Sequence, residues 1–331
     1  MALGLLGGLA TVPYVALLPG PTFDTLGEVE GKTVVDIEGT RTYPTGGHLN
    51  MTTISVVDGV TLYEAMGLWV SGRSALVPRD EIFPPELTEQ QVEQQNEQLF
   101  QDSESMAETA ALGYLGYPSV VVADQVLSEG AANGKLAAGD RLIAVDGQQI
   151  RNTQQLMELL ATTRPGETVQ VGVQRGDGPA QEVPIELGPA QDPDPEQPPG
   201  RGYLGITVAD RPDVDFEITI SLADVGGPSA GLMFALSIVD KLTPGPLAGD
   251  TFVAGTGAIK PAGEVDPIGG IRFKMLRARE EGASVFLVPA GNCEEAVARA
   301  PEGLQLVRVG TLSDAVHALD ALRSGQQPGG C

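Results

Sequence analysis

Residues 188–200 (GPAQDPDPEQPPG) constrain the fold of this chain more than any other feature. Their prolines fix φ and remove N–H donors, so the run suits neither a helix interior nor a central strand. Its acids repel one another and favour an extended linker. A chain of 331 residues interrupted in this way is expected to fold as an α/β (α+β) multidomain protein. The expected divisions are an apolar segment (1–18), a β-rich region with a helical insertion (19–115), a first module (116–187), the linker (188–200), a second, α/β module (201–322) and a disordered tail (323–331).

Residues 1–18 (MALGLLGGLATVPYVALL) carry no charge, and the first basic residue is Lys32. A run of this length and polarity is expected to anchor the chain in a membrane, with the body outside the cytoplasm. A cleaved signal or a buried apolar segment are the alternatives. The chain has 44 acidic and 20 basic residues, a formal charge of −24. Such a surface favours solubility and repels phosphate backbones, so nucleic acid is not an expected partner.

The cysteines, Cys293 and Cys331, stand far apart with no C-x-x-C spacing, so no metal or dithiol site is expected. Cys331 closes a Gly-Gly-Cys tail and is expected to be free, pairing in an oxidising compartment being the alternative. The histidines, His48 and His317, leave little room for a His-based triad. No cofactor is expected.

In the β-rich region, turns at Gly46-Gly47 and Asp58-Gly59 bracket a strand. A short helix is expected over 61–69. Thr88 and Gln91 have the spacing of a capping box at the head of a long amphipathic helix reaching about Leu115. Its composition suggests a structural strut.

In the first module, residues 136–147 read L-x-x-G-D-x-L-I-x-V-D-G, a Gly-Asp turn feeding a strand that ends at an Asp-Gly turn. Asn152 caps a helix over 153–160, and a hairpin follows. This order resembles a PDZ domain. The resemblance implies a peptide strand added at a sheet edge, its carboxylate held on a backbone loop. By resemblance that loop includes Tyr117, Ser119 and Val120. Pro118 between them has no N–H to give, which leaves internal-segment docking or an autoregulatory role open beside C-terminal capture.

In the second module, Gly226-Gly227-Pro228-Ser229-Ala230-Gly231 leads into the apolar run 232–239, which reads as a buried helix. Ser229 is expected in its first turn, where free N–H groups and the positive dipole end would steady an oxyanion. Gly227, Ser229 and Ala230 are the candidate donors. Simple helix capping is the other reading of Ser229. Further on, Gly269-Gly270 opens a helix whose apolar face carries Ile271, Met275 and Ala278, with Lys274 on its flank. Partial burial there would lower the lysine pKa towards that of a general base, although a lysine reaching out to solvent fits the local pattern too.

The order GPSAG around Ser229, T-G-x-I at residues 256–259, P-I-G-G before Lys274 and the strand-turn 285–289 followed by Asn292 resembles the proteolytic domain of Lon-type peptidases. The whole layout is similar to PDZ-fused, ATP-independent, membrane-anchored Lon-like serine proteases of Gram-positive type. The resemblance implies Ser229 as nucleophile, Lys274 as general base, Thr256 as the group that positions the lysine, protein or peptide substrates and hexameric assembly. At Gly226 the sequence departs from the many Lon enzymes that carry an acid there. No G-x-x-x-x-G-K-[ST] occurs in the sequence. A non-catalytic membrane adaptor and a self-processing protease are the competing readings.

Overall fold

A computed structural model describes residues 11–176, 178–189, 200–222 and 225–331. The chain forms two compact units, one from the described residues up to Leu115 together with 215–331, the other from 116–214. The second unit is thus an insertion in the first. Linker residues 190–199 lie outside the described residues.

The larger unit is built on a six-stranded sheet. In chain order its main elements are β1 (Tyr14–Asp24), β2 (Val35–Glu38), β3 (His48–Val57), α1 (Leu62–Ser71), β4 (Ala75–Pro78) and α2 (Glu89–Tyr114). After the inserted unit come β10 (Glu217–Ile220), α4 (Gly231–Leu242), β11 (Phe252–Gly255), α5 (Ile271–Glu280), β12 (Val285–Pro289), α6 (Cys293–Ala298), β13 (Gln305–Val309) and α7 (Leu312–Arg323). The sheet order is β13-β12-β11-β3-β1-β4, with β13, β12, β11 and β3 parallel and β1 antiparallel to both neighbours. β2 and β10 pair separately.

β12 shows why the layers form. All of its residues are buried, and its side chains alternate between two cores. Val285 and Leu287 join Leu49, Met51 and the α4 side chains on one face, and Phe286 and Val288 join Ile271 and Met275 of α5 on the other. On the first face Phe100 of α2 meets Phe234 of α4 edge to face, ring centroids 5.7 Å apart. The capping box at Thr88 and Gln91 is present, and so is one at Thr61 and Glu64 heading α1.

This architecture changes several sequence expectations. Tyr14 to Leu18, placed in a membrane segment, belong to β1, where Val15 and Ala16 are fully buried; residues 1–10 lie outside the described residues. Among the described residues no helix is long and apolar enough to cross a membrane. Residues 19–115 do not stand apart from the α/β module, because β1 and β3 complete its sheet. The tail is held rather than disordered: Arg308 N–H donates to Gly329 O, and Cys331 is disulfide-bonded to Cys293, their Cα atoms 5.2 Å apart.

The inserted unit comprises β5 (Ser119–Val126), β6 (Arg141–Val145), α3 (Thr153–Leu160), β7 (Thr168–Gln174), β8 (Gln181–Glu186) and β9 (Ile206–Pro212). Its sheet runs β8-β7-β6-β5-β9, with β9 antiparallel to β5. The chain therefore returns past the linker to finish this sheet, and the first module does not close at residue 187. The Gly-Asp turn has a clear role. Asp140 is buried, accepts the Ala137 N–H and receives Arg175 through both carboxylate oxygens at 2.7 Å. The Arg175 guanidinium holds its carboxyl below the usual carboxylate range.

Candidate active site and peptide groove

Lys274 is 2% exposed, so the flank position read from the sequence is in fact interior. Helix α5 packs near β1 and β3, while Ile271 and Met275 of its apolar face meet Ala254 of β11 and Phe286 of β12. Lys274 Nζ donates to Thr52 O (2.9 Å) and to Thr256 Oγ1 (3.1 Å), and lies 2.7 Å from Ser229 Oγ. Thr256 Oγ1 in turn donates to Ser229 O at 2.9 Å. The structure thus brings Ser229, Thr256 and Lys274 together.

The valences around Nζ fix where the protons go. A neutral amine has two N–H bonds and one lone pair. Thr52 O can only accept. Thr256 has spent its proton on Ser229 O, so its oxygen also accepts from the lysine. The lone pair is left facing the Ser229 hydroxyl. Burial lowers the Lys274 pKa to about 7, because the charged ammonium loses its hydration and no carboxylate compensates. A nucleophile beside a buried amine titrating near neutrality can deprotonate for attack on a carbonyl.

Ser229 stands just before the helix rather than in its first turn, since α4 begins at Gly231 with Ala230 as its N-cap. Of the expected oxyanion donors, Gly227 is occupied: its N–H donates to Asn96 O of α2 at 2.9 Å. The N–H groups of Ser229 and Ala230 have no backbone partner among the described residues. They remain at the positive end of α4.

Sequence reasoning missed the part played by α2. Ser103, 2% exposed, donates its hydroxyl to Pro228 O at 3.1 Å. With the Asn96 carbonyl it fixes the loop that carries Ser229. The helix was legible as a strut, but nothing in its sequence says what it braces. Thr52 was missed too, because it contributes a backbone oxygen. Among the described residues no group of three or more His, Cys, Asp or Glu could hold a metal ion.

The inserted unit has a groove of about 520 Å³ between α3 and β9, lined by Leu156, Met157, Leu160, Ile206 and Val208 and by residues 201–205. Tyr117, Ser119 and Val120, expected to form the ligand loop, do not line it. Ser119 and Val120 pair along β5 with Pro212 and Arg211. The loop at the groove is Gly202-Tyr203-Leu204-Gly205, whose glycines just beyond the linker are the sequence signal for it. The N–H groups of Leu204 and Gly205 have no backbone partner among the described residues. Arg201 is 8% exposed, stacks over the Tyr203 ring at 4.6 Å and has no partner for its Nε among the described residues.

Family models match two stretches of the chain. Residues 214–319 match the Lon protease (S16) C-terminal proteolytic domain, and residues 90–187 match the PDZ domain. The chain thus carries a Lon-type (S16) proteolytic domain and a PDZ domain. It is 35% identical over 117 residues to Lon protease 1 of Sorangium cellulosum, covering 34% of this chain and 14% of that protein. It is 36% identical over 118 residues to the Lon protease of Azospirillum brasilense, covering 34% and 14%. The chain therefore spans only a small part of the length of these relatives. The PDZ domain of the SdrC-like protein of Listeria monocytogenes is 25% identical, with 27% of this chain and 86% of that one covered at a TM-score of 0.24.

Proposed function

We propose that this chain is a serine endopeptidase in which Ser229 attacks the peptide carbonyl and Lys274 takes its proton and then passes it to the leaving amine. The observation that carries the reading is the 2.7 Å approach of Nζ to Oγ in a buried setting. The Ser229 and Ala230 N–H groups would receive the oxyanion, and water would resolve the acyl-enzyme. With no ATP-binding motif in the sequence, the substrates are unfolded or exposed protein segments that need no mechanical unfolding.

The groove on the inserted unit would guide such segments by their C-termini. Leu204 and Gly205 N–H groups and Arg201 would hold the carboxylate, and the apolar wall would hold the last side chain. We place the enzyme outside the cytoplasm at the cell membrane. The Cys293–Cys331 disulfide favours an oxidising compartment, and the uncharged residues 1–10 favour membrane proximity. Hexamer formation, as the Lon resemblance implies, belongs to the same proposal and is read by light scattering.

Purified wild type, Ser229→Ala and Lys274→Ala are compared on an unfolded protein substrate. Both variants should lose activity by roughly three orders of magnitude while keeping their fold. Wild-type cleavage by Lys274→Ala would sink the pair, and equal labelling of wild type and Ser229→Ala by a serine-directed probe would leave the non-catalytic adaptor.

A further inference from the structure

Helix α1 carries an uncovered apolar face. Its sequence is LYEAMGLWVS, and Leu62, Tyr63, Met66, Trp69 and Val70 are all exposed, Trp69 to 74% and Val70 to 77%. At about 100° per residue these side chains share one arc roughly 120° wide. Ala65 and Leu68 point the other way, into the small cluster with Val12, Ala16 and Val60. Glu64 is the only charge on the helix, and its carboxylate is tied to Thr61 N–H and Oγ1, away from the exposed arc. Single exposed apolar residues are ordinary, but a continuous helical stripe ending in tryptophan marks a contact surface.

The path of the chain indicates what that surface meets. Thr11 bridges Thr61, the N-cap of α1, and Val12 N–H donates to Val60 O at 2.9 Å. Thr11 and Val12 thus lie beside the first turn of α1, and the ten residues before them in the sequence (MALGLLGGLA) carry no charged side chain. Tyr14 on β1 and Val56 and Val57 at the end of β3 are exposed as well. A helix of ten residues is about 15 Å long, half of what crossing a bilayer requires, so it suits lying in the interface. Tryptophan and tyrosine are the side chains that settle at headgroup depth. The charge of −24 favours zwitterionic over anionic lipid.

We propose that α1 lies on a lipid bilayer, with Leu62, Tyr63, Met66, Trp69 and Val70 at the boundary of headgroups and acyl chains. The proposal deepens the membrane placement given above and stands apart from the peptidase reading. Trp69 is the only tryptophan of the chain, so its fluorescence reports on this face and not on residues 1–10.

The full chain is titrated with phosphatidylcholine vesicles while Trp69 emission and co-sedimentation are recorded. Emission should move to shorter wavelength as vesicles bind, and lipids brominated in their acyl chains should quench it. Met66→Asp/Val70→Asp, with an unchanged thermal midpoint, should lose the shift and partition roughly tenfold more weakly. Sedimentation with vesicles while Trp69 emission stays constant would keep the anchor and overturn the role of α1. A shift that follows protein concentration without lipid would overturn it too, and would give the face to a second copy of the chain.

Discussion

The Cβ position of Gly226 lies 3.0 Å from the Cβ of Asn96. Helix α2 thus occupies the space where many Lon enzymes carry an acidic side chain. The departure seen in the sequence has a steric counterpart: the Asn96 carbonyl holds Gly227, whose φ is +84°, and a side chain at residue 226 would press on Asn96 beside that bond. Gly226→Asp is expected to push α2 off the Ser229 loop, costing about 1–3 kcal/mol of stability and lowering kcat more than KM changes. Thermal unfolding and steady-state kinetics test this together.

Ser103→Ala removes the milder half of the same brace. It should cost about 1 kcal/mol and reduce kcat severalfold, because Pro228 O loses its partner and the loop its position. Ser103→Thr should restore much of the rate if the hydroxyl is what matters. Equal kcat in wild type and Ser103→Ala would show that the loop holds itself.

Activity should rise with pH through about 7 as Lys274 loses its proton and becomes a base. Burial also pushes Glu104 of α2 up to about 7, so it titrates in the same window. The kcat/KM profile of Glu104→Gln should keep the wild-type limb, which assigns the limb to the lysine. A limb that disappears in Glu104→Gln would assign it to the carboxyl.

Stability has its own pH signature. Lys274 in the folded chain titrates near 7 and in the unfolded chain near 10.5, so between these values the unfolded state binds the extra proton. Stability attributable to Lys274 should therefore rise with pH across that window, by up to about 1.4 kcal/mol per unit. Lys274→Met should lack the rise. Asp240, pushed up to about 6 by burial, acts with the opposite sign but below this window. Lys241, also lowered by burial, adds to the rise in both proteins and cancels in the comparison. Urea unfolding of both from pH 7 to 10 checks the sign.

The disulfide closes a loop of sequence separation 38. Cys331→Ser, or reduction, should cost about 2–4 kcal/mol and release the residues that follow α7 from β13. Calorimetry with and without reductant reads the first effect, and hydrogen exchange at the Arg308 amide reads the second.

Arg201→Met should weaken binding of a peptide with a free, apolar C-terminus about tenfold or more. It should leave the weak binding of the amidated peptide unchanged. Titration calorimetry with the two peptides distinguishes carboxylate capture from docking of internal segments.

Local sequence determined a good deal of this protein. The capping boxes at Thr61 and Thr88, the helix capped by Asn152, the Gly-Asp turn and the strand 285–289 are short-range features, set by side chains that bond or pack within a few residues of themselves. Ser229, Thr256 and Lys274 stood out only through the resemblance of their motifs to Lon-type peptidases, since each alone also fits a structural role. Tertiary structure decided what lies between distant segments. It took Tyr14 to Leu18 into a sheet, since an apolar run reads alike whether lipid or protein covers it. It carried the chain past the linker to close the inserted unit with β9, which placed residues 202–205 at the groove. It joined Cys293 to Cys331 and set α2 against Gly226. It also buried Lys274 against the carbonyl of Thr52. The lysine pKa follows from that burial, and burial is a property of the packed surroundings that no local pattern around residue 274 contains.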